Sequence, residues 1–167
     1  MELTEAKQKF IQAWGSFGGE WGINKTMAQI HGMLLISTEA LCTDEVMEAL
    51  QISRGNANMN IRTLVDWGIV YKESIPGDRR DFYTAEKDIW LVSRKIAGQR
   101  RKRELEPMLR VLSQVSGAKG KDKAETEAFN ETVSELKEMA SFADGLLNKF
   151  EESEKRWMFK ALMKIIN

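Results

Sequence analysis

The stretch LQISRGNANMNIRTLVDWGIVYKESIPGDRRDFYT, Leu50 to Thr84, decides the fold. Ser53 has the hydroxyl an N-cap needs, placed to accept from an amide in the first turn of a helix running to about Trp67. Ala57, Ile61 and Leu64 recur at i, i+4 and i+7 as one inward stripe, and Gly68 stands where a helix ends in the left-handed region. The other faces carry Arg54, Asn56, Asn58, Met59, Asn60 and Arg62. Asparagine competes with the helix for backbone hydrogen bonds, so Asn56, Asn58 and Asn60 weaken it, and a helix that keeps them points to a use for their amides. After Gly68, Ile69 to Ile75 is rich in β-branched and aromatic residues and suits a strand. Pro76-Gly77 supplies the fixed φ and the positive φ of a type II turn. Asp78, Arg79 and Arg80 then lead into a return strand, Asp81 to Thr84, so the helix is followed by a β-hairpin wing.

Upstream, Thr26 to Ser37 predicts a helix with Met27, Ile30 and Leu34 inward. Thr43 reads as the cap of a short helix to Leu50, with Asp44 and Glu45 complementing the dipole in its first turn. Helix, short helix, tight turn and second helix is the helix-turn-helix order. In that setting asparagine can read an adenine edge and arginine a guanine edge in a DNA major groove. Arginines near a hairpin tip can reach a phosphate or a minor groove. The candidate DNA-facing residues on this reading are Arg54, Asn56, Asn58, Asn60 and Arg62 on the helix, with Lys72, Arg79 and Arg80 on the wing.

The runs SRGNANMNIRTLVDWGIV and PGDRRDFYTAEKDIW resemble the GbsR-like branch of the MarR-type winged helix-turn-helix regulators of transcription. That branch resembles SRGN-x-x-MN-x-R-x-L-x-x-WG, then a P-G-[ED]-R wing and AEKD-x-W leading into the next helix. The likeness is strongest from Ser53 to Trp90, about a quarter of the chain. It implies that Ser53, Arg54, Asn56, Asn58, Asn60 and Arg62 line the DNA side of the recognition helix, that Arg79 and Arg80 belong to the wing, and that the terminal helices build a homodimer. Met59 departs from ordinary MarR proteins, which often carry an arginine there, so their base-reading rules do not transfer. Some members of the group are similar in sensing choline or betaine-type osmolytes. A quaternary ammonium of that kind wants an aromatic cage, for which Trp14, Trp21 and Trp67 are the candidate effector-pocket residues.

Composition bounds the alternatives. The 167 residues fit one domain or two small lobes, and 43% hydrophobic with 30% charged residues is enough for a core. Lys plus Arg and Asp plus Glu both number 25, so any basic surface is a local patch rather than a coat. One Cys and one His argue against a disulfide framework or a Cys/His zinc site, and no metal or cofactor is expected. Cys42 has no basic neighbour in sequence and reads as a buried apolar residue, and lone His31 as a packed, hydrogen-bonded one. No nucleophile with a base and no paired carboxylates stand at workable spacing, so an enzyme is not expected. No apolar run approaches the roughly 20 residues that span a bilayer, and the N-terminus lacks a signal-peptide layout, so a cytoplasmic protein is expected.

Outside the winged segment the chain is helical. Thr4 to about Gly18 carries Leu3, Phe10, Trp14, Phe17 and Trp21 at helical spacing, with glycines 15, 18, 19 and 22 placing a loop near Gly18 to Asn24. Ala85 to about Arg103 predicts a long helix ending in the basic run Arg100 to Arg103, which is either a solvated face or a phosphate-facing patch. Pro107 marks a kink or a new helix reaching about Ser116, and Ser116 to Lys123 a linker. Ala124 to Phe150 follows, with Phe129, Val133, Leu136, Ala140, Ala143, Leu147 and Phe150 on its apolar face, then Ser153 to Ile166. The expected fold is mainly α with a small β-hairpin wing: a DNA-binding winged helix-turn-helix over residues 25–100, and a helical dimerisation region from residues 1–24 and 101–167. The expected function is a sequence-specific regulator, a repressor, binding palindromic double-stranded DNA as a homodimer. The competing reading is a winged-helix module for protein contacts, which an apolar recognition face would favour.

Overall fold

The computed structural model describes residues 1–20 and 22–152; Trp21 and the helix expected from Ser153 to Ile166, with Trp157, Ala161, Leu162 and Ile165, lie outside them. The chain divides into two compact units, Met1–Val92 and a second beginning at Ser93. The first holds α1 (Leu3–Glu20), α2 (Lys25–Ile36), β1 (Leu41–Cys42), α3 (Thr43–Leu50), α4 (Arg54–Asp66), β2 (Val70–Ser74) and β3 (Asp81–Ala85). The strands form an antiparallel sheet in the order β1-β3-β2, with Cys42 opposite Phe82, Val70 opposite Ala85 and Ser74 opposite Asp81. Helix α2, the α3–α4 pair and this hairpin make a winged helix-turn-helix. Ile30, Leu34, Val46, Ile61, Leu64, Ile69 and Val70 fill its core.

The predicted local signals hold along α4 and the wing. The Ser53 hydroxyl accepts from the Asn56 amide at 3.3 Å, and Gly68 takes φ +68° after the helix. Gly77 has φ +87° and the Asp78 amide donates to the Ile75 carbonyl at 3.0 Å, closing the turn. At α3 the cap shifts from Thr43 to Cys42, whose amide donates to the Glu45 carboxylate at 2.7 Å. The short strand β1 causes the shift. Pairing with Phe82 fixes Cys42 in extended backbone, at φ −84° and ψ 166°, which is the conformation a cap requires.

Helix α1 does not stop at its glycines. It runs to Glu20, and the chain turns at Gly22 with φ +74°. Gly15 and Gly18 are buried because α2 passes close by. A Cβ on Gly18 would lie 2.5 Å from the Ala28 Cβ, and one on Gly32 of α2 would lie 2.9 Å from the Trp14 Cδ1. The small residues of each helix thus admit the other, and α1, grouped from sequence with the C-terminal helices, packs on α2 within the first unit. Trp14 stacks on Phe10 with centroids 5.5 Å apart, lies 6.2 Å from Phe17, and donates its Nε1–H to His31 Nδ1 at 3.2 Å.

The second unit begins inside α5 (Ile89–Arg100). That helix starts later than the sequence suggests, because Ala85 is taken into β3 and Asp88 caps the new start, accepting from the Trp90 and Leu91 amides at 2.9 and 3.2 Å. At its other end the chain widens into a π-helical turn, Arg101–Leu105, before α6 (Glu106–Val115). Pro107 has no amide to continue the α-helical ladder, and the Glu106 amide donates to the Arg101 carbonyl five residues back. The helix widens where a break or a new start was expected. After a loop at 116–122, α7 (Lys123–Glu152) returns against α6, burying Leu112, Val133 and Ala140 together. Phe129 and Leu136, expected inward, are exposed: α7 has a wider apolar face than α6 alone covers. No helix among the described residues is long and apolar enough to cross a membrane.

Two predictions concern the α1–α2 contact. Gly18→Ala should destabilise the protein by about 1–3 kcal/mol through overpacking, whereas Gly19→Ala, whose Cβ meets nothing within 4 Å, should leave stability unchanged or raised; equal denaturation midpoints would refute the close packing. His31 is 3% exposed, and burial first, the Lys87 charge second, lower its pKa from 6.5 to about 4. The unfolded chain therefore binds the proton more tightly than the fold. Stability should be full above about pH 6.5 and fall by about 1.4 kcal/mol per unit toward pH 4, a slope that chemical denaturation should show reduced in His31→Gln.

Candidate nucleic-acid interface

Burial of Ala57, Ile61 and Leu64 turns the opposite side of α4 to solvent. The exposed positions are Arg54, Gly55, Met59, Arg62 and Asp66, with Asn56 and Asn58 half-buried at the margins. Asn60 is corrected from the exposed face to the interior. It is 3% exposed, and its Nδ2 donates to the Asn56 carbonyl at 2.9 Å and to the Asn56 Oδ1 at 2.6 Å. One turn of helix therefore consumes two of the asparagines that sequence placed on the outer surface. Asn58 keeps a looser tie, its Oδ1 accepting from the Thr43 hydroxyl at 3.5 Å. Ser53 is exposed but its hydroxyl is occupied as the cap.

The predicted cations fall into two groups. Arg54 pairs with Asp44 of α3. Lys72 on β2 meets Asp81 of β3 at 2.8 Å, a diagonal pair set by the strand register, and this contact raises its pKa. Arg80 is held by both oxygens of Asp78, with Nη2 to Oδ2 at 2.6 Å and Nε to Oδ1 at 3.1 Å. Its guanidinium also lies 5.2 Å from the Phe82 ring centroid and its Nη1 is 3.6 Å from the Cys42 Sγ. The hydrogen bonds from the Arg80 side chain, and then from its backbone amide, draw the Asp78 carboxyl down to about 2. By contrast Arg62 and Arg79 are exposed and carry no ion pair among the described residues. Asp44, Asp78 and Asp81 were not read from sequence as partners of these cations, although Asp78 and Arg80 stand two apart and the hairpin pattern brings Asp81 diagonally near Lys72. Exposed ion pairs contribute little, so Arg54 and Lys72 can exchange a carboxylate for a phosphate at small cost.

Three successive residues after β3 fix the wing to the helices. Glu86 accepts from the Tyr71 hydroxyl at 2.6 Å and from the Asp88 amide at 2.9 Å. Lys87 Nζ donates to the carbonyls of Leu34, Leu35 and Ser37, each at 2.8 Å, closing the C-terminal end of α2. Asp88 caps α5. Within the AEKD run, Ala85 ends β3, Glu86 ties down Tyr71, and Lys87 and Asp88 close helix ends.

In the basic run at the end of α5, Arg100 and Arg101 pair within their own unit, while Lys102 and Arg103 are exposed. Arg101 contacts Asp144 at 2.8 Å, Glu106 at 3.6 Å and Glu151 at 3.8 Å, and Arg100 pairs with Glu104 at 3.0 Å. Of the aromatic residues considered for a pocket, Trp14 lies against α2 among Phe10, Phe17 and His31, and Trp67 is buried at the C-terminal end of α4.

No protein-family model matches the chain. It is similar to a protein of Bacillus subtilis (strain 168) named as an HTH-type transcriptional regulator, YvaV, with 24% identity over 176 residues covering 97% of this chain and 95% of that one. A solved structure described as a transcriptional regulator superposes with a TM-score of 0.56 and 17% identity over 86% of this chain and 99% of that one. The structural likeness is one of fold.

Asn60→Ala should lower stability by about 1–3 kcal/mol without changing any base preference. Arg62→Ala should do the reverse, leaving thermal stability within about 0.5 kcal/mol and weakening DNA binding. A stable Asn60→Ala protein with altered sequence preference would put Asn60 back at the interface.

Proposed function

We propose that the chain is a sequence-specific DNA-binding regulator of transcription, of the GbsR-like branch of MarR-type proteins. The observation that carries this reading is the juxtaposition, on one winged-helix unit, of an outward α4 face bearing Arg62 and Asn58 with a wing whose Arg79 is unpaired among the described residues. The α4 face enters a major groove, and the wing lies on flanking backbone or minor groove. Ser53, Arg54, Asn56 and Lys72 border that contact. Arg80 shapes the wing from within, and Asn60 supports Asn56. The overall neutral charge suits a reader whose free cations are concentrated at the contact surface.

The α6–α7 hairpin supports a homodimer. Met108, Val111, Phe129, Met139, Phe142 and Leu146 stay exposed along it, more apolar surface than a small hairpin leaves to water when it works alone. A two-fold dimer built on residues 101–167, with a contribution from residues 1–24, matches a palindromic operator with half-sites one DNA turn apart. Repression is the output, because a dimer seated across an operator excludes other proteins from the same grooves. An effector acts by binding the two arrangements of the dimer unequally. An osmolyte such as choline or betaine is the proposed effector, for which the cluster of Phe10, Trp14 and Phe17 would supply aromatic faces if it opened.

The test is selection of bound sequences from a random duplex pool by the purified protein near physiological salt. The expected outcome is a palindrome with half-sites about ten base pairs apart; no enrichment by an intact dimer would favour a protein-directed winged helix. Arg79→Ala should weaken binding to all duplexes alike and lower the slope of log affinity against log salt by about one, and a change confined to one base position would make the wing a reader of sequence.

A further inference from the structure

On α4, Ala57, Ile61 and Leu64 are buried and Val65 is half-buried, but Met59 is 60% exposed in the middle of the outward face. Most of its side chain is left to solvent among the described residues. Four residues before it stands Gly55, one helical turn toward the N-terminus and so beneath the direction in which a helical side chain leans. A Cβ on Gly55 would meet nothing within 4 Å, and its φ lies outside the left-handed range. Neither packing nor backbone geometry within the protein requires glycine there, and glycine is a poor helix former. Arg62 follows Met59 at i+3, so Gly55, Met59 and Arg62 make one outward stripe, opposite the buried stripe Ala57, Ile61 and Leu64.

A solvent-facing methionine beside an unfilled glycine and an arginine with no ion pair among the described residues is unexplained by the monomer. It has a simple meaning if this stripe faces a major groove. The C5-methyl of thymine is the one apolar group on a major-groove base edge, and an apolar side chain discriminates thymine by touching it. We infer that Met59 is a specificity-determining residue that reads a thymine methyl in each half-site, and that Gly55 lets the start of α4 approach the groove closely enough for it to do so. The inference rests on the DNA-binding reading above. It assigns the sequence preference at one position to an apolar contact, where the asparagines and arginines of the same helix would suggest hydrogen bonding throughout.

The experiment uses the full-length protein and the duplex recovered by selection, with each thymine replaced in turn by deoxyuridine, which lacks only the methyl. At one thymine position of the half-site, a single replacement should weaken wild-type binding about fourfold, the effect of withdrawing one methyl from an apolar contact. The same replacement should have no effect on Met59→Ala, and Met59→Leu should retain sensitivity to it. The salt slope of Met59→Ala should equal that of wild type, since no phosphate contact is lost. Gly55→Ala should keep or raise thermal stability while weakening binding, a combination that loss of folding cannot produce. A recovered site at which no deoxyuridine replacement matters, or at which Met59→Ala responds as wild type does, would overturn the assignment and leave the DNA-binding reading standing. A pool without any enriched sequence would overturn both.

Discussion

The docking of α4 through Ala57, Ile61 and Leu64 is the constraint on which the rest of the first unit depends. These side chains lie on one line of the helix and are buried against the α2, α3 and β2 side of the core. Because a helix is rigid, fixing that line fixes every other position around the axis. Met59 and Arg62 must then face solvent, Asn60 must turn inward, and Asn56 and Asn58 must sit at the margins. A shift of the buried line by one residue would bring Arg62 toward the core, where an unpaired guanidinium is costly. The character of the candidate interface is thus a consequence of hydrophobic packing on its far side.

Around that helix, the wing is held by polar contacts rather than by a core of its own. Its two strands offer few buried side chains, and Phe82 and Val70 supply most of the apolar anchoring. Lys72 with Asp81, Arg80 with Asp78, and Tyr71 with Glu86 lie along its surface. The hairpin is tied back to the bundle by Glu86, Lys87 and Asp88, which close a hydroxyl, the end of α2 and the start of α5 in succession. Short polar side chains can do this because helix ends always leave backbone groups without partners. A change in this run would therefore reposition the wing without touching it.

The cations that matter are sorted by the same geometry. Arginine and lysine are abundant, but acidic partners equal them in number. Arg54, Lys72, Arg80, Arg100 and Arg101 each find a carboxylate, whereas Arg62 and Arg79 do not among the described residues. The second unit follows a different rule. There Arg101 gathers three carboxylates at the π-helical turn while the hairpin leaves large apolar side chains in water. Among the described residues, Arg100 and Arg101 find carboxylates within the unit, while Phe129, Met139 and Phe142 find no cover there.

Much of this was legible in the residues alone. Ser53 as a cap, the inward stripe of α4, the end at Gly68, the Pro76-Gly77 turn and the helix-turn-helix order are local, set by propensity, periodicity and backbone sterics within a few residues. Other features belonged to the tertiary structure. Glycines 15 and 18 weaken a helix in isolation, and only the close passage of α2 turns them into a packing surface. The strand at Leu41–Cys42 is too short to show itself and exists because β3 offers it an edge. Asn60 and the paired arginines read as surface groups until their neighbours are in place. The sequence by itself determined which segments would be helix, turn and wing, because those choices are governed by contacts between residues close in the chain. Which polar side chains remain free for a partner was decided only by the fold, because pairing and burial depend on residues distant in sequence.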